Sequence, residues 1–294
     1  MKNLDLSVFP KVDKSTWEIL AQKQLKGENP NDVLNWKSLG DLSLLPYYES
    51  SDIKELESQI DFFQSLPNHH WRLYEQIQVT SDKDANKKAL KALMGGCDGI
   101  IFNLEQPSDF SELLNDINSK ICHLSFIKKN QNLPNDIKIE MTDQNCFFQS
   151  PEVSNPIEQL TNVLSQLNNN HSFIYRIAFS DFFLEIATIR ALRFLLSQNL
   201  GKTEINIHSH VPAHSLDDHQ WFLNTTAGLA SILGGSHSVT FTTKMDDERI
   251  SRNVGNLIRE ESGISTYQDQ CGGSYYIESL TNKLIEETLK NSNL

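Results

Sequence analysis

From about Trp71 onward, short apolar runs rich in β-branched and aromatic residues alternate with longer segments of helical spacing. The apolar runs predict strands over Leu73–Val79, Gly99–Leu104, Cys122–Ile127, Ile137–Met141, Phe173–Phe179, Glu204–His210 and Ser238–Thr243, with a last one near Ile264–Gln268. Helices are predicted over Asp84–Met94, Phe110–Ile117, Pro156–Leu167, Asp181–Ser197, Asp217–Leu233, Asp247–Glu261 and Ser279–Lys290, and none follows Cys122–Ile127. Repeated β-α steps of this kind call for parallel strands with helices outside. A closed (β/α)8 TIM-type barrel over residues 67–294 fits best. An open doubly wound sheet is the rival, but the first β-α turn carries no Gly-x-Gly-x-x-Gly, so a dinucleotide site is unsupported.

Residues 1–66 read as an N-terminal helical arm. Ser15 is the expected cap of a helix over Thr16–Lys26 that stops at Gly27, and Ser51-Asp52 opens a second helix that runs to Leu66 before Pro67. Trp17, Trp36, Tyr47 and Tyr48 lie on this arm, outside the expected core. Large aromatics in such a place usually cover something, which makes them candidates for a subunit interface.

Charge and cysteine usage narrow the function classes. The 294-residue chain has a net charge of −12. An acidic chain of this kind lacks the basic footprint that nucleic acid or an anionic membrane needs. Cys97, Cys122, Cys146 and Cys271 are far apart and form no Cys-x-x-Cys, so they are expected as free thiols in a reducing compartment. No apolar run reaches the length of a transmembrane helix and no signal peptide is seen, so a cytoplasmic protein is expected.

Several blocks then recur in one order: Phe182-Phe-Leu-Glu-Ile-Ala-Thr-Ile-Arg-Ala191, Ala227-Gly-Leu-Ala-Ser-Ile-Leu-Gly-Gly-Ser-His-Ser-Val239, Ile258-Arg-Glu-Glu-Ser-Gly263 and Gly272-Gly-Ser-Tyr-Tyr-Ile-Glu278. Together they resemble the substrate-binding barrel of the methylmalonyl-CoA mutase family. Thr16-Trp-Glu, Leu25-Lys-Gly27, Asn35-Trp-Lys and Leu45-Pro-Tyr-Tyr48 are similar to the family's N-terminal arm, which wraps a partner subunit. Asn86 to Ile101, after Trp71, looks like the first barrel unit of its small subunits.

The departures carry as much as the matches. Catalytic members have a Tyr in a Tyr-Pro-Thr-Met-Tyr motif ahead of the first strand, and nothing between Tyr48 and Trp71 matches it. Their Ser-Gly-Tyr-His histidine aligns near Pro212, and the lysine of their Phe-x-Glu-Ile-Ala-Lys is Thr188. The Phe-Asp-Glu block is kept as Met245-Asp-Asp-Glu248 but shortened before Arg249. The family's cobalamin motif, Asp-x-His-x-x-Gly on a separate domain, is not matched by Asp217-Asp-His-Gln-Trp-Phe222, and the chain reaches Leu294 directly after the barrel-like region. The resemblance therefore implies a degenerate barrel without a cobalamin-binding domain. It implies the small, non-catalytic subunit of a heterodimer whose large catalytic subunit supplies adenosylcobalamin for the conversion of methylmalonyl-CoA to succinyl-CoA.

Two sets of residues keep other readings open. His208, His210 and His214 crowd the end of a predicted barrel strand, where active sites of this fold lie. His-x-His on a strand turns both rings to one face, so His208 and His210 are candidate metal ligands, with Asp217 or Asp218 as a third ligand or base. Arg176 interrupts an apolar strand and needs an anionic partner: an internal one, Glu185 or Glu140, or an acyl-CoA thioester or phosphate. Arg176, Glu185 and Asp247 are the candidate substrate contacts. A self-sufficient enzyme acting on a CoA thioester or as a metal hydrolase, and a stand-alone binding or scaffold protein, are the alternatives to the subunit reading.

Overall fold

The computed structural model describes residues 12–37, 42–66, 70–128, 132–142, 146–148, 155–167, 173–177, 181–202, 205–212, 219–242 and 248–292. The arm begins with α1 (Lys14–Gln24) and a short α2 (Pro30–Val33). A two-stranded ribbon of β1 (Trp36–Lys37) and β2 (Ser43–Leu44) follows, then a 3-10 turn at Ser50–Leu56 that runs into α3 (Glu57–Ser65). The cap of α1 is Asp13 rather than the expected Ser15: its carboxylate accepts from Thr16 N at 2.8 Å, and Ser15 Oγ donates to the same oxygen. A carboxylate outcompetes a hydroxyl there because it can take several donors at once.

Next come β3 (Arg72–Val79), α4 (Asp82–Met94), β4 (Gly99–Leu104), α5 (Phe110–Leu113), β5 (His123–Lys128), β6 (Ile139–Thr142) and β7 (Cys146–Phe148). The chain continues with α6 (Pro156–Gln166), β8 (Phe173–Ile177), α7 (Phe182–Leu200), β9 (Asn206–Val211), α8 (His219–Leu233), β10 (Ser238–Phe241), α9 (Glu248–Glu261) and α10 (Tyr275–Ser292). β3 to β10 form one parallel sheet in the order β6-β5-β4-β3-β10-β9-β8-β7. That is barrel order, with the first strand paired to the last: Ser238 lies beside Arg72 and Thr240 beside Tyr74. The fold is a degenerate (β/α)8-like barrel.

The degeneracy is local. β6 and β7 stand at the two ends of the strand order, and only three residues separate Thr142 from Cys146. A helical crossover between parallel strands needs about a dozen residues or more, so this unit has no room for its helix. The sequence placed the eighth strand at Ile264–Gln268 instead. That segment is a 3-10 turn over Ile264–Thr266, entered through Gly263 in a left-handed conformation (φ 65°). Gln268 then bonds the Gln64 and Leu66 carbonyls at the end of α3, which uses the loop to fasten the arm.

Alternation along the strands sorts the side chains. Leu73, Ile77, Val79, Ile100, Phe102, Leu104, Leu124, Phe126, Val239 and Phe241 form one apolar cluster between sheet and helices. Ile174 and Ile207 enter a second one with α6, α7 and α10, and Leu42 and Leu44 of the arm belong to it at 2% exposure each. Tyr74, Ile101, Met141 and Cys146 form a separate small cluster on the opposite face of the sheet. Cys97, Cys122, Cys146 and Cys271 are free thiols.

Candidate functional site

The opposite face carries most of the uncharged polar chemistry. His208 and His210 on β9 face the same way, beside Ser238 and Thr240 on β10. His208 Nδ1 bonds Ser238 Oγ at 2.8 Å, and the His208 ring lies 5.7 Å from that of Tyr74. His210 Nε2 bonds Thr242 Oγ1 at 2.6 Å. The Thr242 hydroxyl spends its proton on the Val211 carbonyl at 2.8 Å, so His210 is the donor and its hydrogen sits on Nε2. Burial disfavours the imidazolium and pushes His208 down to about 3 and His210 down to about 4. Both rings are neutral at physiological pH.

A second polar knot lies at the start of the strands. Glu140 accepts from Arg72 Nη1 at 2.6 Å and from the Tyr74 hydroxyl, and His123 Nδ1 lies 2.6 Å from it. Burial, reinforced by the neighbouring carboxylate, raises the Tyr74 phenol well above its ordinary range. Glu140 is thus occupied by Arg72 and does not serve Arg176.

Arg176 is instead answered by Glu185. Both are 0% exposed, and they meet in a two-pronged pair, Nη1 with Oε1 and Nη2 with Oε2, the latter at 3.0 Å. Gln159 of α6, Ser209 of β9 and Ser231 of α8 complete the network at 3.3, 3.3 and 3.2 Å. Register places Arg176 beside Ser209, one residue out of phase with His208 and His210, so the pair lies between the sheet and its helices. The other α7 arginines do not reach Glu185. Arg190 binds Asp269 at 2.8 Å and Glu278 at 2.6 Å, over the Phe63 ring at 3.9 Å. Arg193 donates to the carbonyls of Ile205 at 3.1 Å and Gly235 at 2.6 Å. The sequence missed the Arg190–Asp269–Glu278 cluster, because its partners lie 79 and 88 residues apart along the chain.

His214 and Asp247 lie outside the described residues, as do Asp217 and Asp218. Among the described residues no group of three or more His, Cys, Asp and Glu is gathered as a metal-binding set, and no helix is long and apolar enough to cross a membrane. On the arm, Trp17 stacks on Tyr47 at 5.2 Å, Tyr48 packs edge-on against Tyr276 at 5.4 Å, and Trp36 is 52% exposed. None of the α1 residues is buried, although the helix carries Trp17, Ile19 and Leu20.

Comparison with known proteins agrees with these blocks. The methylmalonyl-CoA mutase small subunit of Porphyromonas gingivalis is 25% identical over an alignment covering 97% of this chain and 63% of that protein. The probable mitochondrial methylmalonyl-CoA mutase of Caenorhabditis elegans is 34% identical over 40% of this chain, and the Escherichia coli methylmalonyl-CoA mutase 31% identical over a similar share. The chain therefore spans under two thirds of the first relative and under a fifth of the other two, 18% and 19%. Among solved structures, the dihydropteroate synthase of Stenotrophomonas maltophilia aligns over 67% of this chain with 11% identity and a TM-score of 0.40, too low to carry an argument. The family model for methylmalonyl-CoA mutase matches residues 163–292, the stretch from α6 to α10 that holds the Arg176–Glu185 and Arg190–Asp269–Glu278 networks, and it is to the methylmalonyl-CoA mutase family that the chain is similar.

Proposed function

We propose that this chain is the small, non-catalytic subunit of a cobalamin-dependent methylmalonyl-CoA mutase, working in the cytoplasm as one half of a heterodimer. The observation that carries the proposal is the arm. An 11-residue helix with no buried residue is marginal on its own in water, and α1 holds Ile19 at 68% and Leu20 at 57% exposure beside an exposed Trp36. A partner surface covering α1 and the ribbon, with Trp17, Trp36, Tyr47 and Tyr48 as contacts, explains both the exposure and the helix. The likeness to a protein named as a small subunit supports the same reading.

On this reading the large subunit holds adenosylcobalamin, which supplies the radical that rearranges the acyl-CoA carbon skeleton. The residues of this chain offer that cofactor a poor fit. The side chains of His208 and His210 are bonded to Ser238 and Thr242, and Phe222, which stands where the cobalamin motif has its Gly, lies within α8. Arg176, Glu185 and Asp247 keep their place as candidate acyl-CoA contacts, although the Arg176–Glu185 pair is satisfied internally.

Co-expression with a large methylmalonyl-CoA mutase subunit of the same genome tests the proposal by size exclusion and by mutase assay with adenosylcobalamin. A 1:1 complex whose stability or activity needs this chain supports it. Separate elution, with a fully active large subunit, overturns it.

A further inference from the structure

The first helix of the arm, α1, has two unlike faces. Lys14, Trp17, Glu18 and Ala21 recur at helical spacing and are partly covered, whereas Ile19 and Leu20 stand exposed on the other side. No α1 residue is fully buried, so apolar packing contributes little to holding the helix in place. The covered face meets the turn at residues 47–52. The Lys14 backbone N–H donates to Glu49 Oε2 at 2.8 Å, and Lys14 Nζ donates to Asp52 Oδ1 at 2.8 Å. The two acids are fixed in turn: the Glu49 N–H donates to Asp52 Oδ2 at 2.8 Å, and Ser51 Oγ donates to Glu49 Oε1 at 2.6 Å. Beside this clasp Trp17 stacks on Tyr47, and Tyr48 packs on Tyr276 of α10, which seats the turn on the barrel.

Lys14 is the first residue of α1, so its N–H is one of the four that a helix leaves without an internal acceptor. Glu49, 35 residues away along the chain, therefore acts as a second cap beside Asp13. Both carboxylates sit at the positive end of the helix dipole. Asp13, Glu49 and Asp52 thus gather about the first turn of α1, and Lys14 is the cation that pairs with them among the described residues. Removing its charge leaves three like charges around one helix end, answered by backbone and hydroxyl donors alone.

We infer that Lys14, Glu49 and Asp52 form an ionic clasp that makes α1 a detachable hook, held in place in the free chain while the clasp is closed and released by salt. The consequence for assembly rests on the subunit reading of the arm. A closed clasp keeps α1 ordered, with Ile19 and Leu20 facing outward, before the large subunit arrives, so that binding carries less of the ordering cost. When the ordered fraction falls, the apparent affinity falls by the same factor. The contact face itself is apolar and has no charge to screen. Salt should therefore weaken capture through the clasp and not through the interface.

Hydrogen exchange of the full chain, read by mass spectrometry over α1, tests the clasp with no partner present. The α1 amides should be protected in about 20 mM NaCl and exchange several-fold faster in about 0.5 M, where the screening length falls to about 4 Å. Lys14→Met should exchange about tenfold faster than the parent in low salt and lose most of the salt dependence, with the amides of β3 and β4 unchanged. Lys14→Arg should restore protection, and Ile19→Gln, on the outer face, should leave it intact. Titration with the large subunit then reads the consequence. Lys14→Met should weaken capture about tenfold in low salt and remove its salt dependence, whereas Ile19→Gln should weaken capture at every salt concentration. Equal α1 exchange in the parent and Lys14→Met overturns the clasp, whatever the partner does. A clasp seen by exchange, with no capture by the parent chain, overturns the subunit reading and leaves the clasp standing.

Discussion

Replacing Glu185 by Gln strips a counter-charge from a guanidinium that is 0% exposed and keeps the uncharged Gln159 and Ser209 among its contacts. Removing one member of a buried ion pair costs about 3–5 kcal/mol, because the surviving charge stays in a medium that solvates it poorly. Against a typical domain stability of about 5–15 kcal/mol, that brings Glu185→Gln close to unfolding. Arg176→Met should cost a similar amount, since it takes the guanidinium from a buried Glu185 carboxylate that also accepts from Ser231. The double variant Arg176→Met, Glu185→Leu removes both charges and fills their volume. It should recover most of the loss, to within about 1–2 kcal/mol of the parent, as apolar replacements of buried pairs do. Urea unfolding followed by far-UV circular dichroism on the parent, Glu185→Leu, Arg176→Met and the double variant gives the coupling energy, about 4–9 kcal/mol by this reasoning. Two results refute it: a Glu185→Gln cost under about 1 kcal/mol, or a double variant whose loss equals the sum of the singles. A folded, stable Glu185→Gln protein whose complex loses acyl-CoA affinity would instead assign the pair to substrate binding.

Acid should destabilise the fold through its inward-facing histidines. In the unfolded chain His208 and His210 take up protons near the ordinary histidine value of 6.5, whereas the folded values are about 3 and about 4. The folded state therefore binds fewer protons, and stability falls as pH falls below 6.5. At about 1.4 kcal/mol per pH unit per ring, lowering pH from roughly 7.5 to 5.5 costs about 3 kcal/mol; a His208→Asn, His210→Gln variant that keeps the full drop contradicts this. Gly228 of α8 lies against the Phe241 ring, where a Cβ would overlap it, so Gly228→Ala should lower stability by about 1–3 kcal/mol in a urea melt. Leu44→Ala should cost about 2–5 kcal/mol, measured the same way, because this arm residue is part of the barrel's outer core. Trp36→Ala should leave the Tm of the isolated chain nearly unchanged yet weaken capture of the large subunit by about 2 kcal/mol, roughly 30-fold in Kd by calorimetry.

Legibility followed the length of the signal. The long amphipathic and all-apolar helices and the β-branched strands were readable because burial on one face repeats over several turns or residues: α7 is buried along nearly its whole length, and β4 reads Gly-Ile-Ile-Phe-Asn-Leu. β7 was not readable, because Cys146–Phe148 is too short to show a period of two. The Ile264–Gln268 segment misled for the converse reason: its apolar and aromatic residues serve a turn set by Gly263 and by side-chain bonds to the arm. Of the candidate site, the pairing of Arg176 with Glu185 was visible as a need, since a charge inside an apolar strand requires an answer nearby. Arg190 finding Asp269 and Glu278 was not, because a loop and a distant helix supply the partners and one sequence contains no sign of that meeting.

The distribution of charge bears on what the barrel can do. The strong ion pairs lie toward the helices: Arg176–Glu185, Arg190–Glu278 and Arg252–Glu75 join strand to helix or helix to helix. The face of β9 and β10 that carries His208, Ser238, His210 and Thr240 holds no charge at neutral pH. A general acid or base works best with a pKa near the working pH, and a histidine held at about 3 or 4 is a weak proton acceptor there. These rings are buried, neutral and hydrogen-bonded to hydroxyls of the next strand, which is how polar residues fasten a barrel rather than how they exchange protons with a substrate. The arm differs in the opposite sense, because Ile19, Leu20 and Trp36 are exposed where burial would stabilise them. A chain whose inward histidines are buried and bonded to neighbouring hydroxyls, and whose arm is exposed, has its unfinished chemistry at a surface. The physical case for an accessory subunit is therefore the unburied arm, and the Trp36→Ala titration is the measurement that addresses it.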